Sequence, residues 1–158
     1  MTKKTGIKRH ESLYPLSHHH YHALVIALRL KQVGTEKSKL SLEETTTSLK
    51  QFWKDGGQEH FREEEEILLP AYAQYTKIEE QPEISQMLLE HVKIRSMINA
   101  VTNMESASVE LLQELGVLLE THVRKEERVI FPMIEEALPE EKLKELSAYL
   151  HVNYLDSN

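Results

Sequence analysis

Apolar residues recur at spacings of three and four along most of this chain, the period of an α-helix that buries one face. In the row Ile84, Met87, His91, Ile94, Ile98 and Val101, only His91 interrupts. Leu111, Leu115, Leu118, His122, Glu126, Val129 and Met133 form a second row, interrupted by His122 and Glu126. A third row, Trp53, His60, Glu64, Ile67 and Ala71, is broken by His60 and Glu64. Nearer the N-terminus, Ala23, Ile26, Leu30 and Val33 mark a fourth face. Extended backwards it passes through His19 and His20, with His18 and His22 on the polar side. Polar groups on such faces must be satisfied inside the protein, so the interruptions need a joint explanation.

The rows predict an all-α chain. The first helix covers about Leu16 to Val33 and stops at Gly34. The second starts at Ser41, which has capping-box spacing with Glu44, and runs toward Tyr75. Gly56 and Gly57, each costing about 1 kcal/mol against Ala, predict a kink or broken turn, and Pro70 a second bend. The third helix runs from about Pro82 to Asn103, the fourth from about Ser108 to Ala137, and a short fifth begins at Pro139. Brief connections between long amphipathic helices predict an up-down-up-down four-helix bundle. A chain of 158 residues suits one domain. Its expected parts are an N-terminal segment (1–13), the bundle (14–137), and a short C-terminal helix with a tail (138–158).

Several chemistries are excluded. With no cysteine, a disulfide framework or thiolate metal site is impossible, and any metal must be held by nitrogen and oxygen. A formal charge of −7, without basic clusters interleaved with aromatics, argues against nucleic acid as a partner. The longest apolar run, Ala23 to Leu28, cannot span a bilayer, so no membrane partner is expected. MTKKTGIKRHES lacks the apolar stretch and cleavage site of a signal peptide, and a cytoplasmic location is expected. The histidine-rich SHHHYH runs directly into ALVIALRL, so it belongs to the first helix and is not a flexible tag.

A lone histidine on an apolar row is more often a satisfied core residue than a ligand, and a glutamate at a row's edge is usually solvated. Four helices that each send a histidine to the core, two of them with a glutamate one turn later, make a different case. Two buried carboxylates are tolerable when paired or metal-bound. The two His-Glu pairs also lie in an internal echo, HFREEEEILLP at 60–70 and HVRKEERVIFP at 122–132. Carboxylates with imidazoles suit iron, manganese or zinc. The Glu-x-x-His spacing of ferritin-like di-iron bundles is absent, since Gly57, Leu88 and Leu119 stand three residues before His60, His91 and His122. Glu63, Glu66, Arg62, Arg124, Lys125 and Arg128 are expected on a solvated face, with Glu65 and Glu127 beside the core as outer acceptors.

The ordered set of a His in the first helix, HFREE with ILLP, EHVKIR, and HVRKEERVIFP resembles the hemerythrin-like, or HHE cation-binding, domain over about residues 14 to 137. The resemblance implies a non-haem iron centre, usually di-iron, with mononuclear iron or zinc as alternatives. It also implies binding or sensing of a small ligand such as O2, NO or peroxide, or the handling of iron. By position the implied ligands are His20, His60, Glu64, His91, His122 and Glu126. His19 and His22 remain alternatives to His20, and Glu127 to Glu126. Hemerythrins proper carry a second histidine in the third helix, where this chain has Arg95, which cannot ligate a metal. That departure implies a substitute ligand from the first-helix histidines, Tyr21, Glu63 or water, or else a single metal. It also counts against reversible oxygen carriage. The rival readings are a weak iron-dependent oxidase or peroxidase and a metal-free or zinc-binding helical interaction module.

Overall fold

A computed structural model describes residues 8–103 and 107–152. Parts of the expected terminal segments (1–7 and 153–158) and residues 104–106 lie outside the described residues. Among those described, all regular structure is helical. After a 3₁₀ turn at Glu11–Leu13, α1 spans Tyr14–Gln32. It ends at Gly34, whose φ of 80° lies in the left-handed region that a side chain would strain. Helix α2 covers residues 42–73. Its start is fixed by the capping box: Glu44 N–H donates to Ser41 Oγ at 3.0 Å, and Ser41 N–H donates to Glu44 Oε1 at 2.9 Å. Helix α3 is Pro82–Asn103, α4 covers residues 109–137 with Ser108 as its cap, and α5 is Glu140–Leu146. Pro139 precedes α5 in extended conformation instead of occupying its first turn.

Neither α2 nor α4 is α-helical throughout. The expected break at the glycine pair is a π-turn, Trp53–Gly57, across which the flanking backbone stays right-handed helical. Two further π-turns, Glu64–Leu68 and Glu126–Ile130, occupy equivalent places in the echoed segments. Pro70 and Pro132 explain them. Each proline lacks an N–H and its ring crowds the carbonyl four residues back, so the helix widens. Leu69 N–H then reaches Glu64 O, and Phe131 N–H reaches Glu126 O. The buried row differs from the expected one by a residue in several places: in α4 Leu112 and Leu119 are buried where the straight period assigned Leu111 and Leu118. Leu68 and Ile130 are fully buried where the straight period assigned Ile67 and Val129, and Ile134 is buried where it assigned Met133.

The core has two apolar clusters. One gathers Leu13, Leu16, Leu68, Met87, Ile130 and Ile134 with the C-terminal Leu146, Leu150 and Val152. The other gathers Ala23, Leu30, Phe61, Ile94, Ile98, Leu115, Leu119 and Val123. Helix α1 approaches α4 closely at Gly116, where a Cβ would lie 2.8 Å from the Ala27 carbonyl oxygen. Between the clusters every long helix passes through a layer of buried histidine and glutamate: His20 follows Leu16, His91 follows Met87, and Glu64 and Glu126 precede Leu68 and Ile130. No described helix is long and apolar enough to cross a membrane.

Candidate metal centre

The six residues singled out from the sequence converge in that layer, and all are buried. Their ligand atoms form two sets, each within 4.8 Å: His20, His60, Glu64 and Glu126, and Glu64, His91, His122 and Glu126. The two glutamates belong to both sets and divide their oxygens between them. Glu126 Oε1 lies 3.0 Å from His20 Nε2 and 4.0 Å from His60 Nε2, while its Oε2 lies 2.8 Å from His122 Nε2 and 3.5 Å from His91 Nε2. Glu64 Oε2 is 3.0 Å from His60 Nε2, and its Oε1 is 3.1 Å from His91 Nε2.

Four of these buried atoms, Glu64 Oε1, Glu126 Oε2, His91 Nε2 and His122 Nε2, meet at 2.8 to 3.5 Å as charge pairs but without the geometry of a hydrogen bond. They face one another in the second set. Buried polar atoms without a hydrogen bond cost free energy, about 1–3 kcal/mol each, and a cation among them would satisfy all four. Nitrogen and oxygen donors of this kind suit iron, manganese or zinc. The residues therefore fit a metal.

Every histidine presents Nε2 to the centre because Nδ1 is engaged behind it. His20 Nδ1 meets Glu127 Oε2 at 2.6 Å, His91 Nδ1 meets Glu65 Oε2 at 2.6 Å, and His122 Nδ1 meets Glu90 Oε1 at 2.7 Å. An ionised carboxylate only accepts, so Nδ1 carries the proton and Nε2 is directed inward. His60 Nδ1 has instead His19 Nδ1, at 3.0 Å. Burial and the neighbouring His60 push His19 down to about 2, so it stays neutral and offers a lone pair.

The charges in the layer are arranged unevenly. Burial opposes charge on His20, but hydrogen bonds to Glu126 and Glu127 outweigh it and raise the group to about 9. Burial likewise opposes charge on His91 and His122, yet Glu126 and its neighbours raise them to about 11 and about 9. Burial drives His60 well below the usual range, and the positive His20 beside it adds to this. Burial and the adjacent Glu126 raise Glu64 to about 8. Glu126, despite burial, is held well below the carboxylate range by His122, His20 and His91.

The remaining expectations resolve by position. His20 enters the centre, His19 lies behind His60, and His22 is exposed. Glu126 enters the centre, while Glu127 backs His20. Tyr21 is 75% exposed and does not reach the layer. Glu63 corrects the expectation of a solvated face: it is wholly buried and accepts from the His151 and Val152 backbone N–H groups at 3.4 and 3.3 Å. The chain's C-terminal segment covers a position that helical period alone assigns to solvent. Arg95 bonds to Glu65 at 3.1 and 3.2 Å, so it supports His91 from outside. Glu90 was missed, although it lies three residues after Met87 and four before Ile94, on the edge of the buried row.

The hemerythrin HHE cation-binding domain model matches residues 16–134. The chain belongs to this family. Comparison with curated proteins and with solved structures gives no match. The match to the hemerythrin HHE model runs from the first turns of α1 to near the end of α4, so all six converging residues lie within it. Membership and the His and Glu sets together indicate metal-cation binding.

Proposed function

We propose that this hemerythrin-family chain holds a di-iron centre on His20, His60, Glu64, His91, His122 and Glu126, within helices that alternate up and down. The centre would bind or sense a small molecule such as O2, NO or peroxide, in the cytoplasm. The observation that carries the reading is the division of the carboxylate oxygens: Glu64 and Glu126 each turn one oxygen to each set, which is what two adjacent cations require of bridging ligands. Each set then has two imidazoles and two carboxylate oxygens without help from Arg95, Tyr21 or Glu63. Iron held there would supply a redox change and an open position for the ligand.

The chain's own residues set what reaches that position. A narrow cavity beside the centre has room for about one water-sized molecule. Phe52, Trp53, Phe61, Ile94, Ile98 and Leu119 line it alongside His20, His60 and His122. Such walls admit a small neutral molecule and penalise a hydrated ion.

The test is metal analysis with absorption spectra of protein produced in iron-replete medium. Two irons per chain with near-ultraviolet charge-transfer absorption, altered by O2 or NO, are expected. One iron per chain would reject the paired centre, and stoichiometric zinc without iron would reject the reading as a whole.

A further inference from the structure

Two arginines outside the centre are built into matching clamps. Arg95 Nη2 bonds to Glu65 at 3.1 and 3.2 Å, and Glu65 accepts from His91 Nδ1 at 2.6 Å. The Arg95 guanidinium also lies 5.5 Å from the Phe61 ring centroid, and Phe61 stacks on His91 at 3.9 Å with the rings 1° from parallel. The second clamp repeats this chemistry from other elements. Arg9 bonds to Glu127 Oε1 at 3.0 Å, and Glu127 Oε2 accepts from His20 Nδ1 at 2.6 Å. Arg9 lies 5.3 Å from the Phe131 centroid, and Phe131 stacks on His20 at 5.5 Å with the rings 14° apart.

Each clamp thus holds one histidine by two routes. The carboxylate fixes its Nδ1 proton, and the aromatic ring fixes its plane, while a single arginine anchors both. The two histidines belong to different halves of the centre, His20 to one and His91 to the other. Their companions are held differently: His122 leans on Glu90, which Gln86 supports at 3.1 Å, and His60 leans on His19. Arg9 is nearly buried although it precedes α1, for it also reaches Ser17, the Glu127 carbonyl and Glu135.

We infer that Arg9 and Arg95 are paired positioning residues, one for each metal of the centre, acting through Glu127 on His20 and through Glu65 on His91. The inference rests on the proposed two-metal reading. Neutralising the outer carboxylate and locking the ring keep Nε2 aimed at the cation with no reorganisation on binding. Loss of such outer partners typically costs about 10- to 100-fold in metal affinity. Position 95, where the family pattern offers a further ligand, here serves ligand orientation.

The experiment titrates metal-free protein with Co(II), reading bound equivalents, dissociation constants and the visible spectrum, with circular dichroism of the metal-free form as the folding control. Wild type should bind two equivalents. R95Q should weaken one equivalent by at least about tenfold and change its spectrum, and R9Q should weaken the other. E65Q should weaken the same equivalent as R95Q, and the double variant should be no worse than the weaker single one, because Arg95 acts through Glu65. R95K, which keeps the charge, should recover part of the affinity, and it serves as the arginine probe if R95Q does not fold. Wild-type affinity for both equivalents in R95Q or R9Q would overturn the inference. Equal weakening of both equivalents by one variant, or additive losses in R95Q with E65Q, would do so too. Wild type that binds no cobalt would overturn the metal reading beneath it.

Discussion

Glu64 and Glu126 occupy the same layer with their carboxylates turned toward one another's histidines, yet they take opposite charge states. Burial and the neighbouring Glu126 carboxylate raise Glu64, whereas three histidines hold Glu126 well below the carboxylate range. Two adjacent buried carboxylates cannot both ionise cheaply unless cations separate them. Without metal, the layer therefore stores protons on Glu64, His20, His91 and His122.

Metal binding must expel those protons. The ligands bind as neutral imidazoles and ionised carboxylates, so cations compete with protons held by groups raised to about 8, 9 and 11. Apparent affinity should rise steadily from about pH 6 to about pH 9. Calorimetry near pH 7 in buffers of different ionisation enthalpy should detect protons released per metal; no release would contradict this charge assignment.

The metal-free protein should lose stability in alkali. His20 and His122 are raised from 6.5 to about 9, so their contribution is complete below 6.5 and is lost as pH rises through about 9. Glu64, raised from 4.5 to about 8, and Glu63, raised by burial to about 7, act in the same direction. On the acid side His19 and His60, depressed by burial, lose their contribution as pH falls below 6.5. A melting temperature that is nearly level between about pH 4.5 and 6.5, where the gain from Glu63 and Glu64 offsets the loss from His19 and His60, and that falls toward pH 9 is expected without metal. Protein loaded with metal should show a flatter alkaline limb.

The two carboxylates should differ on mutation. Glu64→Gln replaces a protonated acid with a neutral near-isostere and should change metal-free stability by less than about 1 kcal/mol. Glu126→Gln strips the counter-charge from His20, His91 and His122 and should cost about 3–5 kcal/mol, as removal of one partner from a buried ion pair does. Both should abolish tight metal binding. Urea unfolding of the metal-free variants checks the contrast, and equal losses would refute it.

His19→Phe fills the space behind His60 but leaves its Nδ1 without the 3.0 Å partner. Metal affinity should fall about 10- to 100-fold. His18, on the exposed side of the same helix, gives the control: H18A should bind metal as wild type does.

Gly116→Ala would set a methyl group 2.8 Å from the Ala27 carbonyl oxygen and 2.9 Å from Leu30 Cβ. Overpacking of this kind costs about 1–3 kcal/mol. A chain of this size should then melt a few degrees lower, about 2–4 °C per kcal/mol. Calorimetry reads it directly.

Local chemistry was legible in the sequence by itself. The helical period located the long helices, and Ser41 with Glu44 and Gly34 marked their ends, because caps and backbone freedom act within a few residues. The interrupted rows picked out His60, Glu64, His91, His122 and Glu126 and left His19 and His20 open, because a polar group on an apolar stripe is costly enough to require a reason. Only the tertiary structure decided the rest. Burial fell on Leu68, Leu119 and Ile130 instead of Ile67, Leu118 and Val129, a choice between neighbouring residues that a period of three or four leaves open and that packing decides. Glu63 became buried through a segment some ninety residues later. Which histidine of SHHHYH enters the centre, how Glu64 and Glu126 divide their oxygens, and what Arg9 and Arg95 hold all depend on directions between helices. Those directions are set by packing among side chains far apart in the chain, and one-dimensional spacing does not carry them.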